Sequence, residues 1–263
     1  RLALLAAAAA GEVAADDAEF AARAVVTRLD PAALGVELAT IEAGDHLAGR
    51  ALRVQADARI ALLVREMEVS VEAGHALEAP GVARAAKLYM TAQVDAGHLA
   101  SMSMTNAAVA ALGHTPHVAD TWVPRIRTRR YDAAQRPISD KPGALLGLGF
   151  TETQGGSDLN TNTTVAVDAG DGVWRLTGHK WFLSAPASDA FLVLAQTVDG
   201  LACFLVPRYL PDGSLNGIRL MRLKDKLGNR SSATAEAEFE NAAGWLIGEA
   251  GGALTTIAGT GAL

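Results

Sequence analysis

The spacing of hydrophobic residues changes once along the chain, near residue 140. Before that point apolar residues recur every three or four positions, as in ARIALLVREMEVSVEAGHALEA and ARAAKLYMTAQVDAGHLASMSMTNAAVAAL. This spacing, in segments rich in alanine, leucine and methionine, is typical of helices. Prolines and glycines interrupt it at Pro31, Pro80, Gly81, Gly113 and Pro116. We therefore predict a domain of several helices over residues 1–140.

From Gly143 onward, runs with period two contain many β-branched and aromatic residues. The seven runs are GALLGLGF, TNTTVAVD, GVWRLTG, AFLVLAQT, LACFLVP, GIRLMRL and ATAEAEFE. Such runs are typical of β-strands. Asp171-Gly172 and Asp199-Gly200 predict tight hairpins, and Pro211-Asp212-Gly213 predicts a further turn. Because no helical crossover separates the runs, we predict an antiparallel β-barrel or sandwich over residues 141–249 and an α+β fold overall.

Three shorter segments complete this division. YDAAQRPISDKP, residues 131–142, has no period and contains two prolines, so we interpret it as the linker. Residues 250–263 predict the start of a further element that is too short to form a domain. The first ten residues, RLALLAAAAA, are too short to cross a bilayer, which takes ~20 apolar residues. Acidic amphipathic sequence follows them, which favours an alanine-rich helix over a signal peptide.

Composition narrows the class of protein. The 263 residues are 50% hydrophobic and 20% charged with a net charge of -6, as expected of a soluble globular protein. A broad basic face for nucleic acid is missing. We interpret the local group Arg125, Arg127, Arg129 and Arg130 as solvated surface. The single cysteine, Cys203, excludes an intrachain disulfide, and its apolar run favours a buried thiol. We expect a cytoplasmic protein without membrane contact.

The stretch TETQGGSD, residues 151–158, concentrates small hydrogen-bonding groups after a predicted strand. It lacks the Gly-Lys-Ser/Thr of a Walker loop, and a strand rather than a helix follows it, unlike a Rossmann fingerprint. Two interpretations remain open. Its backbone amides and the hydroxyls of Thr151 and Ser157 can form an anion-binding nest, or the loop can be an ordinary turn around Asp158.

Two further stretches carry candidate chemistry. GHKWFLSAP, residues 178–186, which we place between strands, combines an aromatic pair with Ser184. An aromatic face and a hydroxyl suit a flat redox-active ring, although Trp181 or Phe182 can instead fill the barrel core. KLGNRSSATAEAEF, residues 226–239, places Arg230 among hydroxyls, where it can pair with a carboxylate or phosphate.

In this order and spacing the three stretches resemble the acyl-CoA dehydrogenase family of flavoproteins. That family has a T-E-x-x-x-G-S-D loop, then G-x-K-x-W-I-T, then G-x-R-x-S-x-T. In more detail, the sequence is similar to the AidB-like, alkylation-response branch of this family. The segments that carry this similarity are GFTETQGGSDLNTNTT, GHKWFLSAPASDAFLVLAQ and RLKDKLGNRSSATAEAEF. In that branch a phenylalanine, here Phe182, stands where other members have a tryptophan beside the flavin. The match covers residues 143–249, and the preceding helices fit the family's N-terminal domain.

The resemblance implies FAD as cofactor and an acyl-CoA-like substrate. It implies that residues 148–157 line FAD, that Thr151 hydrogen-bonds the flavin, that Ser157 faces the pyrophosphate or acyl-CoA, and that residues 182–184 lie along the ring edge. The implied cofactor-binding residues are Leu148, Gly149, Phe150, Thr151, Glu152, Thr153, Gln154, Gly155, Gly156, Ser157, Phe182, Leu183 and Ser184. Glu152 itself we interpret as structural.

The family's C-terminal helical bundle completes the flavin site, provides most of the oligomer interface and, in most branches, the catalytic base. We expect the chain to lack this bundle, so its catalytic residue is unknown. Three hypotheses stay open. The protein is an FAD-dependent acyl-CoA dehydrogenase-like enzyme that forms a homo-oligomer, an alkylation-response protein that binds FAD and DNA, or a non-enzymatic module. In the AidB-like branch DNA binding belongs to the C-terminal domain, so we expect no DNA contact through this chain.

Other candidate residues are less informative. His46, His75, His98, His114 and His117 show no recurring ligand spacing, so we predict no metal site. Ser103, Met104 and Thr105 lie on a predicted helix and can face either an acyl pocket or the core.

Overall fold

The computed structural model describes Tyr89, Gly97 and residues 99–128, 130, 132, 134–229 and 232–261. It contains α1 (Leu99–Leu112), α2 (Pro116–Ile126), seven strands and α3 (Ala253–Gly261). Several predictions fall outside the described residues: the alanine-rich helix at the start, the breaks at Pro31, Pro80 and Gly81, the side chains of His46, His75 and His98, and Arg129 and Arg230.

The two helices before the sheet begin and end where the sequence predicts. α1 ends at Leu112, directly before Gly113, and α2 begins at Pro116, whose missing N–H costs nothing in a first turn. α1 is fastened to the sheet by Thr105, which is 1% exposed. The Thr105 hydroxyl accepts a hydrogen bond from Leu146 N at 3.0 Å. Thr105 therefore belongs to the core rather than to a pocket.

Arg125 departs from the expectation of a solvated surface. Its Nε donates to Lys141 O at 3.1 Å, and its two terminal nitrogens donate to Thr121 O and Ser139 O. One guanidinium thus joins α2 to the linker. The linker itself contains a short 3₁₀ turn, Ile138–Asp140.

All seven predicted runs contain a strand. The strands are β1 (Leu146–Thr151), β2 (Val165–Asp168), β3 (Val173–Ser184), β4 (Ala190–Thr197), β5 (Gly200–Pro207), β6 (Ile218–Leu223) and β7 (Thr234–Ile247). Their order is β1-β3-β2-β4-β5-β7-β6, and additional β1–β4 and β3–β7 pairings curl the sheet into a barrel-like form. The predicted α+β class, helices followed by a β-barrel, is confirmed.

Two strand pairs differ from the antiparallel expectation. β1 pairs with β4 in parallel, from Leu146 opposite Ala190 to Gly149 opposite Val193, and β2 meets β4 in parallel at Val165. Parallel neighbours need a long connection between them. Here the β2–β3 hairpin lies between β1 and β4 in the chain, and β3 lies between β2 and β4, so that strands replace a helix in both connections.

Both predicted hairpins form, and one turn lies a residue earlier than expected. Asp171 and Gly172, between β2 and β3, have φ of 52° and 74°, a backbone conformation that glycine adopts freely and aspartate tolerates. Between β4 and β5 the turn residues are Val198 and Asp199 rather than Asp199 and Gly200, because Gly200 is already the first residue of β5 and pairs with Thr197.

Two hydrophobic cores lie on opposite faces of β4 and β5. The helix-side core contains residues from the helices and one face of these strands: Ala108, Leu112, Trp122, Leu192, Leu194, Cys203 and Leu205. The barrel core contains the other face: Leu176, Leu183, Phe191, Val193, Phe204 and Phe239. Because both faces are covered, β4 and β5 are nearly continuous hydrophobic runs. The described helices are all too short or too polar to cross a bilayer.

Candidate functional site

The three sequence stretches that carry candidate chemistry lie on adjacent strands. β1 and β3 pair with Leu148 opposite Ser184 and Thr151 opposite Phe182. β3 and β7 pair with Ser184 opposite Thr234. Residues directly opposite each other in an antiparallel pair project to the same face. The end of β1, the end of β3 and the start of β7 therefore form one continuous surface, which we call the open face: Leu148, Thr151, Phe182, Ser184 and Thr234.

A β-bulge gives the open face its aromatic residue. GHKWFLSAP, predicted to lie between strands, is instead the end of β3 and the turn after it. The pairing with β7 shifts register between Lys180 and Leu183, which are both fully buried. A bulge adds one residue and changes the direction of the side chains beside it. Phe182, which is 37% exposed, therefore does not fill the barrel core, whereas Leu183 does.

The loop TETQGGSD folds back against β1. Glu152 and Gly155 bond each other through their backbones, which closes a tight turn. A Cβ on Gly156 would lie 2.6 Å from the Thr151 hydroxyl, so only glycine fits beside that side chain. Asp158 accepts a hydrogen bond from Asn160 N at 3.1 Å and caps the 3₁₀ turn Leu159–Thr161. The turn around Asp158 thus exists, and it leaves Ser157 exposed beside it.

Glu152 holds this loop from inside the protein. Glu152 is 2% exposed, and its carboxylate forms a 2.6 Å ion pair with Lys180, which is 0% exposed. Both oxygens also accept from residues that precede β2: Oε2 from the backbone and hydroxyl of Thr163, and Oε1 from those of Thr164. Gln154 Nε2 adds a sixth hydrogen bond at 3.0 Å. A buried charge needs such compensation.

These contacts determine the protonation of the pair. Burial alone would raise the pKa of Glu152, but the hydrogen bonds from Lys180, Thr164, Gln154 and Thr163 outweigh it and hold that pKa well below its usual range. Burial lowers the pKa of Lys180 to about 8, with Glu152 acting in the opposite direction. A carboxylate with so low a pKa is a poor general base. The structure therefore supports the structural interpretation of Glu152.

The remaining predicted site residues divide into three groups by where their side chains lie. Gly149 and Leu183 are buried, so only their backbones can reach a ligand. Leu148 and Phe150 pack partly against the helix-side core. Within reach of solvent are Thr151, Thr153, Gln154, Gly155, Gly156, Ser157, Phe182 and Ser184. Their roles toward a cofactor stay predictions.

Residues around the bulge that the sequence analysis did not assign also contribute. Lys224 Nζ lies 3.0 Å from the centre of the Trp181 ring and 4.9 Å from that of Phe182. Lys224 and Arg222 both pair with Glu236, and these pairings lower the pKa of its carboxyl group. The sequence signal for this cluster is the repeated basic residues in RLMRLKDK. Such a pattern does not show which residue of another strand they contact. The cluster stabilises the aromatic pair from outside.

The open face fits the flavin that the resemblance implies. It presents a partly exposed aromatic ring, and in the described part of the chain the hydroxyls of Thr151, Ser157 and Ser184 form no hydrogen bonds with other residues, which leaves them available to a ligand. Hydroxyls and exposed backbone around an aromatic ring suit a ring system with nitrogen and carbonyl acceptors. The tight turn at Gly155 and Gly156, beside Thr151, keeps the loop backbone close to the open face.

A cavity of about 510 Å³ is lined by α2, the linker and the ends of β5 and β7, including Trp122, Tyr209 and Trp245, and none of the predicted site residues lines it. Across the described residues, no three side chains of His, Cys, Asp or Glu come together as a metal ion would require.

Two known domain families match separate parts of this chain. The acyl-CoA dehydrogenase middle domain matches residues 147–242, and the N-terminal domain of the adaptive response protein AidB matches residues 63–133. AidB of Escherichia coli (strain K12) is 55% identical over 168 residues, which are 64% of this chain and 31% of that protein. Acyl-CoA dehydrogenase family member 11 of Caenorhabditis elegans is 40% identical over 116 residues, 40% of this chain and 19% of that protein.

A solved structure agrees with the sequence matches. The crystal structure of Caenorhabditis elegans ACDH-11 in complex with C11-CoA has a TM-score of 0.66 and 27% sequence identity, and the match covers 80% of this chain and 36% of that one. The chain thus spans about a third or less of the length of these relatives.

Proposed function

Because this chain belongs to the acyl-CoA dehydrogenase family, within which it resembles AidB, we propose that it binds FAD on the open face and takes part in dehydrogenating an acyl-CoA-like substrate. The observation that carries the proposal is the β1–β3 pairing, which places Thr151 opposite Phe182 and Leu148 opposite Ser184. Two segments about thirty residues apart in the sequence thereby supply one surface.

The residues of this chain would hold and orient the cofactor. The Thr151 and Ser184 hydroxyls donate to ring acceptors, Phe182 packs against the ring, and Ser157, at the exposed end of the loop, faces the pyrophosphate or the acyl-CoA. When bound, the flavin supplies the acceptor for the hydride that leaves the β-carbon of an acyl thioester. The Glu152–Lys180 ion pair keeps the loop in place for these contacts.

Substrate, assembly and location belong to the same proposal. The relative from Caenorhabditis elegans was solved with C11-CoA. We extend this substrate class to the present chain, because its open face is formed by the corresponding middle domain. We further propose that the protein acts as a homo-oligomer in the cytoplasm.

Flavin binding tests the proposal directly. The purified chain is titrated with FAD, desalted and examined by visible absorption. We expect retained flavin absorbance. Phe182→Ala and Ser184→Ala should weaken binding, whereas Thr177→Val, an exposed β3 hydroxyl outside the open face, should not. A wild-type chain that neither retains nor binds FAD contradicts the proposal.

The match to AidB favours a second candidate, a part in the adaptive response. We propose that any DNA contact lies outside this chain, because its net charge is -6 and phosphate binding requires a basic surface. A gel-shift assay with duplex DNA at low and high salt checks this. Salt-sensitive binding by this chain would contradict it.

A further inference from the structure

A lysine and a threonine from the third sequence stretch extend the open face beyond Ser184. Thr234, the first residue of β7, lies opposite Ser184. The Lys226 ammonium donates to the Thr234 hydroxyl at 3.0 Å and also to Ser232 O. Lys224 N bonds Thr234 O at 2.8 Å and fixes the backbone at the same point. The Thr234 side chain is therefore held in place from the side away from Ser184.

The charge of Lys226 has no counterion among the described residues. Its hydrogen-bond acceptors are a carbonyl and a hydroxyl, both neutral. Burial lowers the pKa of Lys226, and no carboxylate offsets this effect. The neighbouring Lys224 differs, because it pairs with Glu236. Lys226 thus places a partly desolvated positive charge beside the open face, where negative charge on a ligand would be stabilised.

The contact with Lys226 also determines what the Thr234 hydroxyl can do. A hydroxyl has one proton to donate and two lone pairs that accept. An ammonium can only donate, so the Thr234 oxygen accepts from it and the hydroxyl proton stays free to point elsewhere. A hydrogen bond that is polarised by a neighbouring charge is stronger than a neutral one. Thr234 is accordingly a polarised donor next to Ser184.

We propose that Thr234 is a further flavin-binding residue, donating to a ring acceptor that gains negative charge when the flavin is reduced, and that Lys226 is a positioning residue that acts through Thr234. This inference rests on the proposed FAD site. It extends the ring-binding surface from β1 and β3 to β7, so that donors approach from three strands. Charge and hydrogen bonds near the ring set the reduction potential of a bound flavin.

The reduction potential of the bound FAD is the test. It is measured in the 263-residue chain by equilibration with a redox dye of known potential, alongside the dissociation constant of oxidised FAD. We expect Lys226→Met and Thr234→Val each to lower the preference for reduced over oxidised flavin about tenfold, which is ~30 mV for a two-electron couple. Lys226→Arg, which keeps the charge, should restore most of the potential.

Two controls separate this role from general effects. Arg219→Met removes one positive charge from β6 at an exposed pair with Glu240 and should leave the potential unchanged. Thr177→Val removes an exposed hydroxyl from β3 and should do the same. The inference is wrong if the potentials of Lys226→Met and Thr234→Val equal those of the controls. It is also wrong if these variants lower the affinities for oxidised and reduced flavin equally. Either result leaves the proposed FAD site itself standing. Failure of the wild-type chain to bind FAD would overturn the proposed function as well.

Discussion

Replacing Glu152 by glutamine should be among the most destabilising single-atom changes in the barrel. The carboxylate accepts six hydrogen bonds, including backbone N–H groups on both oxygens: Thr163 N on Oε2 at 2.7 Å and Thr164 N on Oε1 at 3.0 Å. An amide group must turn its NH₂ toward one of these donors, whichever way it is oriented. The substitution also leaves the Lys180 ammonium buried without its carboxylate.

The expected cost follows from the burial of the pair. Removing one partner of a buried ion pair costs about 3–5 kcal/mol of unfolding free energy. Lys180→Met should cost less, about 1.5–3 kcal/mol, because the carboxylate keeps five neutral donors when the charged one is lost. Lys180, in contrast, has Glu152 as its hydrogen-bond acceptor within the described residues. The two single variants should therefore differ in a known direction.

Urea denaturation measures these costs, with the midpoint compared at constant m-value. Glu240→Gln is the matched control, since its pair with Arg219 is exposed and should contribute less than about 1 kcal/mol. The double variant Glu152→Gln/Lys180→Met should be more stable than the sum of the single effects predicts, because each change removes the penalty left by the other. A Glu152→Gln variant within ~1 kcal/mol of wild type, or one less affected than Lys180→Met, would refute the reasoning.

Four further outcomes are expected. Because the pKa of Glu152 is depressed in the folded state, its stabilising contribution is present above its ordinary pKa of 4.5 and is lost as the pH falls toward the folded value. Unfolding free energies measured from pH 7 downward should therefore fall less in Glu152→Gln than in wild type. Equal slopes for the two proteins would contradict this. Gly178→Ala should cost about 1–3 kcal/mol in urea denaturation, because its Cβ would lie 2.6 Å from Thr164 Cα. Burial raises the pKa of Cys203 to about 12, so a thiol reagent should label it only after unfolding, and rapid native labelling would show that the thiol is accessible. Ser157→Ala should weaken FAD binding about tenfold or more by fluorescence titration, and unchanged affinity would show that the loop is an ordinary turn.

Much of the fold is encoded locally and was predictable. The change from helical to alternating spacing near residue 140, the seven runs and the Asp-Gly turns each depend on a few consecutive residues. The positions of helix ends at Gly113 and Pro116 follow from backbone properties of glycine and proline alone. Such signals depend on neighbouring residues alone, so they can be recognised without knowing what the chain packs against.

The candidate site was predictable only in part. The sequence determined which stretches carry hydroxyls, glycines and an aromatic pair, and their order supported the family. It did not show which side chains point outward. Period two places Trp181 and Phe182 on opposite faces, and only the register against β7 reveals the bulge between Lys180 and Leu183.

Partners on different strands were decided by the tertiary structure alone. Glu152 meets Lys180 across 28 positions, and the third stretch reaches Ser184 through Thr234. The parallel pairing of β1 with β4 likewise depends on the β2–β3 hairpin, which pairs with β1 through β3 and with β4 through β2. Register and closure of a barrel minimise the free energy of the whole sheet, so the identity of a buried charge's partner is a property of the complete fold. The sequence by itself determined the elements and the chemical groups they carry, and the closed sheet determined which of those groups meet.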